Sequence, residues 1–145
     1  MGKVRLVIAY VDTSVLLRIL FMAPHALPEW KELTVLIGSP LLRVEGYRAI
    51  DRLRLTGEIA PQDLSQKRRE LQIVLDRFNY VQLDDVVLTR AAEPLPLPLR
   101  TLDAIHLASA MIHRERSHEP ILMATHDTAL AKAARAMHFD VIGAA

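Results

Sequence analysis

The chain contains no cysteine. Disulfide bridges, thiolate-held zinc and iron–sulfur clusters are therefore excluded, and the absence agrees with a reducing compartment. Glycine is scarce: five scattered residues build neither a G-x-G-x-x-G turn nor a phosphate-binding loop, so no nucleotide cofactor is expected. No apolar run reaches the ~18 residues that a membrane span requires. The opening stretch MGKVRLVIAYVDTSVLLRILF starts basic and turns apolar, but Asp12 interrupts it and no Ala-x-Ala pattern follows, unlike a secretory signal. The expectation is a cytoplasmic protein without a membrane partner. An excess of either charge is lacking too. With 18 basic and 17 acidic residues the formal net charge is +1, which leaves no global electrostatic footprint for nucleic acid.

What is present fits one domain, residues 1–145, large enough to bury roughly two-thirds of its unfolded surface. Leu6–Val11 is an apolar run of strand length, suited to burial on both faces. It stops at Asp12-Thr13-Ser14, and the apolar segment Val15–Phe21 follows as a helix. Leu33–Ile37 is a second strand, closed by Gly38-Ser39-Pro40, with a helix from there to Leu55 that stops near Gly57. Pro61 opens a helix to Leu75. A short strand is expected at Tyr80–Leu83 and a helix from Asp84 to Glu93. The three prolines of Pro94–Pro98 forbid regular helix and leave a rigid extended loop. A helix at Leu102–Glu115, a strand at Ile121–Ala124, a helix at Thr128–Met137 and a strand at Val141-Ile142 complete the chain. Strands alternating with helices imply crossover connections and a short, mainly parallel sheet. Functional groups in such α/β folds lie beyond the carboxyl ends of the strands.

Two acids occupy that edge. Asp12 directly follows the first strand and Asp127 follows the fourth; helix capping is the alternative role for either. Two more acids point inward. Glu45 lies on the apolar stripe of Leu42, Ala49, Ile50 and Leu53, where a carboxylate costs several kcal/mol unless paired, protonated or metal-bound. Arg43, Arg48 and Arg5 are its candidate partners. Asp103 opens a helix that is apolar almost all round, with Leu107 and Met111 on its own face; N-capping is again the alternative. Four carboxylates converging at one edge repel each other and raise their pKa values unless a cation balances them. Oxygen-only ligation suits Mg²⁺ or Mn²⁺, and such ions promote phosphodiester hydrolysis. Removing one charge from the cluster should stabilise the metal-free protein. Basic residues gather at 43–54, 67–69 and 114–116, either as solvated helix faces or as the lining of a groove for a phosphate backbone. Val15, Leu16, Leu17, Ile19, Leu20 and Phe21 exceed what one helix stripe needs and serve either the core or an interface.

The segments VIAYVDTSVLLRIL, SPLLRVEGYRAI, LRTLDAIHLASAM and ILMATHDTALAKAARAMHFDVIGA resemble the PIN-domain nucleases, most closely the toxin halves of VapBC-type toxin–antitoxin modules. LDAIHLASA and the T-x-D-x-x-L-A element are the most specific. The resemblance implies a three-layer α/β/α sandwich and an Mg²⁺- or Mn²⁺-dependent endoribonuclease. Asp12 and Asp103 would be the most direct metal ligands, Asp127 would complete the cluster, and Glu45 would ligate metal or orient water. Thr13, Ser14 and Thr125 would position these acids. It further implies an RNA substrate, an antitoxin that occludes the site, and a homodimer.

Other α/β readings fit less well. A phosphoacceptor domain needs an acid pair before the phosphorylated residue and a Lys after a late strand, whereas one Asp12 closes the first strand here. A dehalogenase-like phosphatase needs Asp-x-Asp, where Asp12-Thr13-Ser14 stands. Zinc needs four convergent ligands; His113 and His118 lack matching partners, and His106 belongs to the helix signature of the resemblance. A binding or RNA-processing module that keeps the fold without a toxin role is the remaining alternative.

Overall fold

A computed structural model describes residues 6–145. The described strands are β1 (Ile8–Val11), β2 (Val35–Gly38), β3 (Phe78–Tyr80), β4 (Leu122–Ala124) and β5 (Asp140–Ile142). They form one all-parallel sheet in the order β3-β2-β1-β4-β5. The helices are α1 (Thr13–Leu20), α2 (Leu41–Leu55), α3 (Leu64–Leu75), α4 (Asp85–Ala91), α5 (Thr101–Ser117) and α6 (Thr128–Ala136). Short 3₁₀ turns, Pro28–Glu32 and Pro61–Asp63, each start on a proline, whose fixed φ suits a first helical position.

β1 explains the layering. Side chains alternate across a strand, so Ala9 and Val11 enter one core with Leu42 and Ile50 of α2 and Leu71 of α3. Tyr10 enters the other, with Val87 of α4, Leu107 of α5 and Leu130 of α6. The result is an α/β/α sandwich with α1–α3 on one face and α4–α6 on the other, as expected. The surplus apolar residues of α1 divide: Val15, Leu16 and Leu20 are buried, and Phe21 packs partly buried against the same core.

The third strand lies two residues earlier than its apolar pattern suggests. Phe78 rather than Leu83 is the anchor, paired with Leu36, and Tyr80 sits against Gly38. A Cβ on Gly38 would lie 2.9 Å from the Phe78 ring and 2.5 Å from Leu42 Cδ1. Glycine at that position lets the ring close over the strand. The segment after α4 keeps a period of two without being a strand. Leu95, Leu97 and Leu99 pack on the core while Pro94, Pro96 and Pro98 face out.

The sheet order reverses direction at β1. From there the chain moves outward to β2 and β3, then returns to β4 on the other side. The crevice between β1 and β4 is thus the topological switch point, where such folds place their ligands. No described helix is long and apolar enough to cross a membrane.

Leu71 is fully buried between α3 and Gly46 of α2. Leu71→Ala leaves a cavity there and is expected to lower unfolding free energy by about 2–5 kcal/mol, read from the shift in denaturant midpoint.

Candidate active site

The register that sets Val11 beside Ala124 carries on past both strands. The Asp12 amide donates to the Ala124 carbonyl at 3.1 Å, which brings Thr125 level with Asp12. Asp12 is 5% exposed, and a carboxylate so placed must have its lone pairs met. Its Oδ1 accepts from the Ser14 amide at 2.5 Å, and its Oδ2 accepts from Ser14 Oγ at 3.1 Å and from Thr125 Oγ1. The donors are themselves tied across the crevice. Ser14 Oγ accepts from the His126 amide at 2.9 Å, and Thr125 Oγ1 accepts from the Asp127 amide at 3.0 Å. Asp127 accepts from the Leu130 amide at 2.8 Å. Asp12 and Asp127 therefore do cap α1 and α6. Capping and a place on the cleft are compatible, because each carboxylate has more lone pairs than its cap consumes.

Asp103 is no cap. The N-cap of α5 is Arg100, whose side chain makes no capping bond. Asp103 is half-buried in the first turn, and its carboxyl is pushed up from the ordinary range, first by burial, then by the charges of Asp127 and Asp12. Glu45 behaves oppositely. Burial alone would raise it, but the hydrogen bond and charge of His106, with Thr13 adding, hold it below the ordinary range. The expected arginine partners are elsewhere. Arg43 lies over the Tyr47 ring and Arg48 pairs with Asp51; Arg5 lies outside the described residues. Glu45 Oε1 accepts instead from Thr13 Oγ1 at 2.9 Å and meets His106 Nε2 at 2.8 Å.

All four acids line one hollow of about 470 Å³ that also holds Arg48 and Arg52. An adjoining hollow of about 960 Å³ shares Glu45, Asp103 and Asp127 and is walled by Pro98, Leu99 and Arg100. Of the three basic clusters only the first reaches this cleft. Lys67 pairs with Glu70, Arg68 stacks on Tyr47, and Arg114 stacks on Phe139.

The donor set fits a hard divalent cation: the carboxylates and hydroxyls offer only oxygen, and Asp103 carries the repulsion that a cation would relieve. Yet among the described residues no three acids or histidines are gathered closely enough to hold an ion as they stand. The four acids expected to converge at this edge line one cleft.

Three neighbours were not anticipated from the sequence: His106, Tyr10 and Arg100. His106 is 2% exposed, and its Nδ1 meets the Tyr10 hydroxyl at 2.8 Å. A polar ring three residues after Asp103 on an otherwise apolar helix was the available signal, since buried rings need partners.

A family model described as PIN domain matches residues 9–136. No curated protein matches the chain.

The geometry divides the stability effect expected of removing a charge. Asp103 has a folded pKa above its unfolded value of about 3.9. Its contribution is fully present below that pH and is lost as pH rises through the folded pKa. Asp103→Asn is therefore expected to melt above wild type at pH 7 in EDTA, with the difference vanishing below about pH 4. Asp12→Asn should instead lose about 1–3 kcal/mol, because it leaves the Ser14 and Thr125 donors poorly matched. Thermal melts of both variants across pH check both signs.

Proposed function

The chain belongs to the PIN-domain family, a nuclease fold, and from that premise we propose that it is an Mg²⁺- or Mn²⁺-dependent endoribonuclease, the toxin half of a toxin–antitoxin pair. The observation that carries this reading is the lining of one cleft by Asp12, Glu45, Asp103 and Asp127 at the switch point of the sheet. A divalent cation bound among these oxygens would lower the pKa of a water and neutralise charge on a phosphodiester. The remaining duties fall to the chain. Asp103 feels the charge of Asp127 most and that of Asp12 next, so the three are the carboxylates that a shared cation would relieve. Asp127 stands at the mouth of the same crevice, fixed by its cap. Glu45, kept ionised by its hydrogen bonds, can ligate a cation or accept the proton of an attacking water.

Substrate binding is assigned to Arg48 and Arg52 on one side of the acids and Arg100 on the other. Cations flanking an acidic centre suit a strand whose phosphates run through the cleft, the scissile one over the acids. The antitoxin partner, the homodimer and the cytoplasmic setting belong to the same proposal and rest on the family resemblance of the motifs.

Cleavage of a labelled single-stranded RNA is expected to stop with EDTA and return with Mg²⁺ or Mn²⁺. Asp12→Asn and Asp103→Asn should each slow it on the order of 100-fold or more, the scale for removing one electrostatic contact to a reacting centre. Chelator-insensitive cleavage would end the metal reading. Equal cleavage of a DNA of the same sequence would end the ribonuclease reading. In cells, wild type should arrest growth and Asp12→Asn should not.

Arg52→Ala should raise KM and flatten the slope of log KM against log salt by about 0.7, the value for one phosphate contact on a single strand. An unchanged slope would remove Arg52 from the substrate path.

A further inference from the structure

Glu45 differs from the other acids in how it is held. Asp12 and Asp127 each cap the helix that follows them, whereas Glu45 caps nothing and is held by Thr13 and by a histidine from the opposite core. A hydrogen-bonded chain starts at Tyr10, fully buried at the centre of the sheet. It passes through His106 on α5 and ends at Glu45 Oε1 in the cleft. The two rings meet edge to face at 5.9 Å between centroids. Thr13 donates to the same Oε1. Oε2 accepts no hydrogen bond from the described residues, and Glu45 lines both hollows of the cleft.

Proton placement along this chain has one solution for a neutral ring. A carboxylate can only accept, so His106 Nε2 carries the hydrogen. A neutral imidazole has one N–H, so Nδ1 must accept. The Tyr10 hydroxyl, a donor at neutral pH like any phenol, lies 2.8 Å from Nδ1 and supplies that hydrogen. The carboxylate, which can only accept, sets the ring tautomer, and the Tyr10 hydroxyl, which can donate or accept, completes it by donating to Nδ1.

We propose that His106 is a positioning residue for Glu45. As the Nε2–H tautomer that the Glu45 carboxylate requires and the Tyr10 hydroxyl supports at Nδ1, it holds Oε1 against the protein and leaves Oε2 as the oxygen presented to a cation or water in the cleft. The outer-sphere partner that orients a ligating or proton-accepting group is here an imidazole acting on a carboxylate. The kinetic arm of the test rests on the nuclease reading above; the spectroscopic and binding arms do not.

In uniformly ¹⁵N-labelled, metal-free wild type, long-range side-chain ¹H–¹⁵N correlation is expected to show His106 protonated at Nε2 and bare at Nδ1. Protonation at Nδ1 alone overturns the proposal, and protonation at both nitrogens overturns the role of Tyr10. Outer-sphere substitutions typically cost about 10- to 100-fold. His106→Leu is expected to weaken calorimetric Mn²⁺ binding by that factor, and to lower kcat on RNA similarly with KM unchanged. His106→Gln places an amide N–H where Nε2 stood and should recover most of both. Wild-type binding and kcat in His106→Leu would overturn the proposal, as would a folded His106→Gln no better than His106→Leu. If His106→Leu fails to fold, Tyr10→Phe decides, since an unchanged His106 Nδ1 signal overturns the chain. If wild type cleaves no RNA, the nuclease reading falls while the spectrum and the Mn²⁺ binding still judge His106.

Discussion

A nearly buried carboxylate, that of Asp12, constrains the whole sheet edge. Taking such a charge out of water costs several kcal/mol unless its lone pairs are met. The fold meets them with a hydroxyl 113 residues away, Thr125, and with both polar groups of Ser14. That hydroxyl can reach only because β1 and β4 are adjacent and in register. The same two side chains then accept from the amides of His126 and Asp127. One buried charge therefore specifies strand register, the start of α1 and the start of α6 together. A slip of one residue between β1 and β4 would take Thr125 away from it and leave only the two donors of Ser14.

Glu45 meets the same difficulty by another route. It sits on a helix rather than at a strand end, so no turn of its own offers donors. Thr13 reaches it from α1, one residue beyond Asp12, and His106 reaches it from α5 across the sheet edge. The two cores of the sandwich are joined at this point by polar contacts, since Tyr10 and His106 belong to one core while α2 packs in the other. Asp103 receives no such support and bears the repulsion of its neighbours. It is the acid whose ionised form a bound cation would help most.

The sequence makes much of this legible. Uninterrupted apolar runs mark β1 and β4 because strands buried on both faces cannot tolerate alternation, and from them follow the sheet edge and the places of Asp12 and Asp127. The inward position of Glu45 follows from helical spacing. What stays hidden depends on tertiary pairing. His106 and Tyr10 are 96 residues apart, and nothing local to either names the other. The sequence points to nearby arginines as partners of Glu45, because charge pairing is the default for a buried acid. A threonine and a histidine do that task instead. β3 starts two residues before its apolar pattern suggests, because that pattern peaks after Tyr80 while the strand's position is decided by space above Gly38 on the neighbouring strand.

The segment from Pro94 to Pro98 forms the approach to the larger hollow through Pro98, Leu99 and Arg100. Three prolines limit what it can sample even in the unfolded chain, and three alternating leucines pin it to the core. A wall built this way has little conformational freedom left to surrender when the cleft is filled. The gap between that wall and the arginines across the acids is set before any guest arrives, so whatever enters would have to match it in width, with little accommodation from the protein.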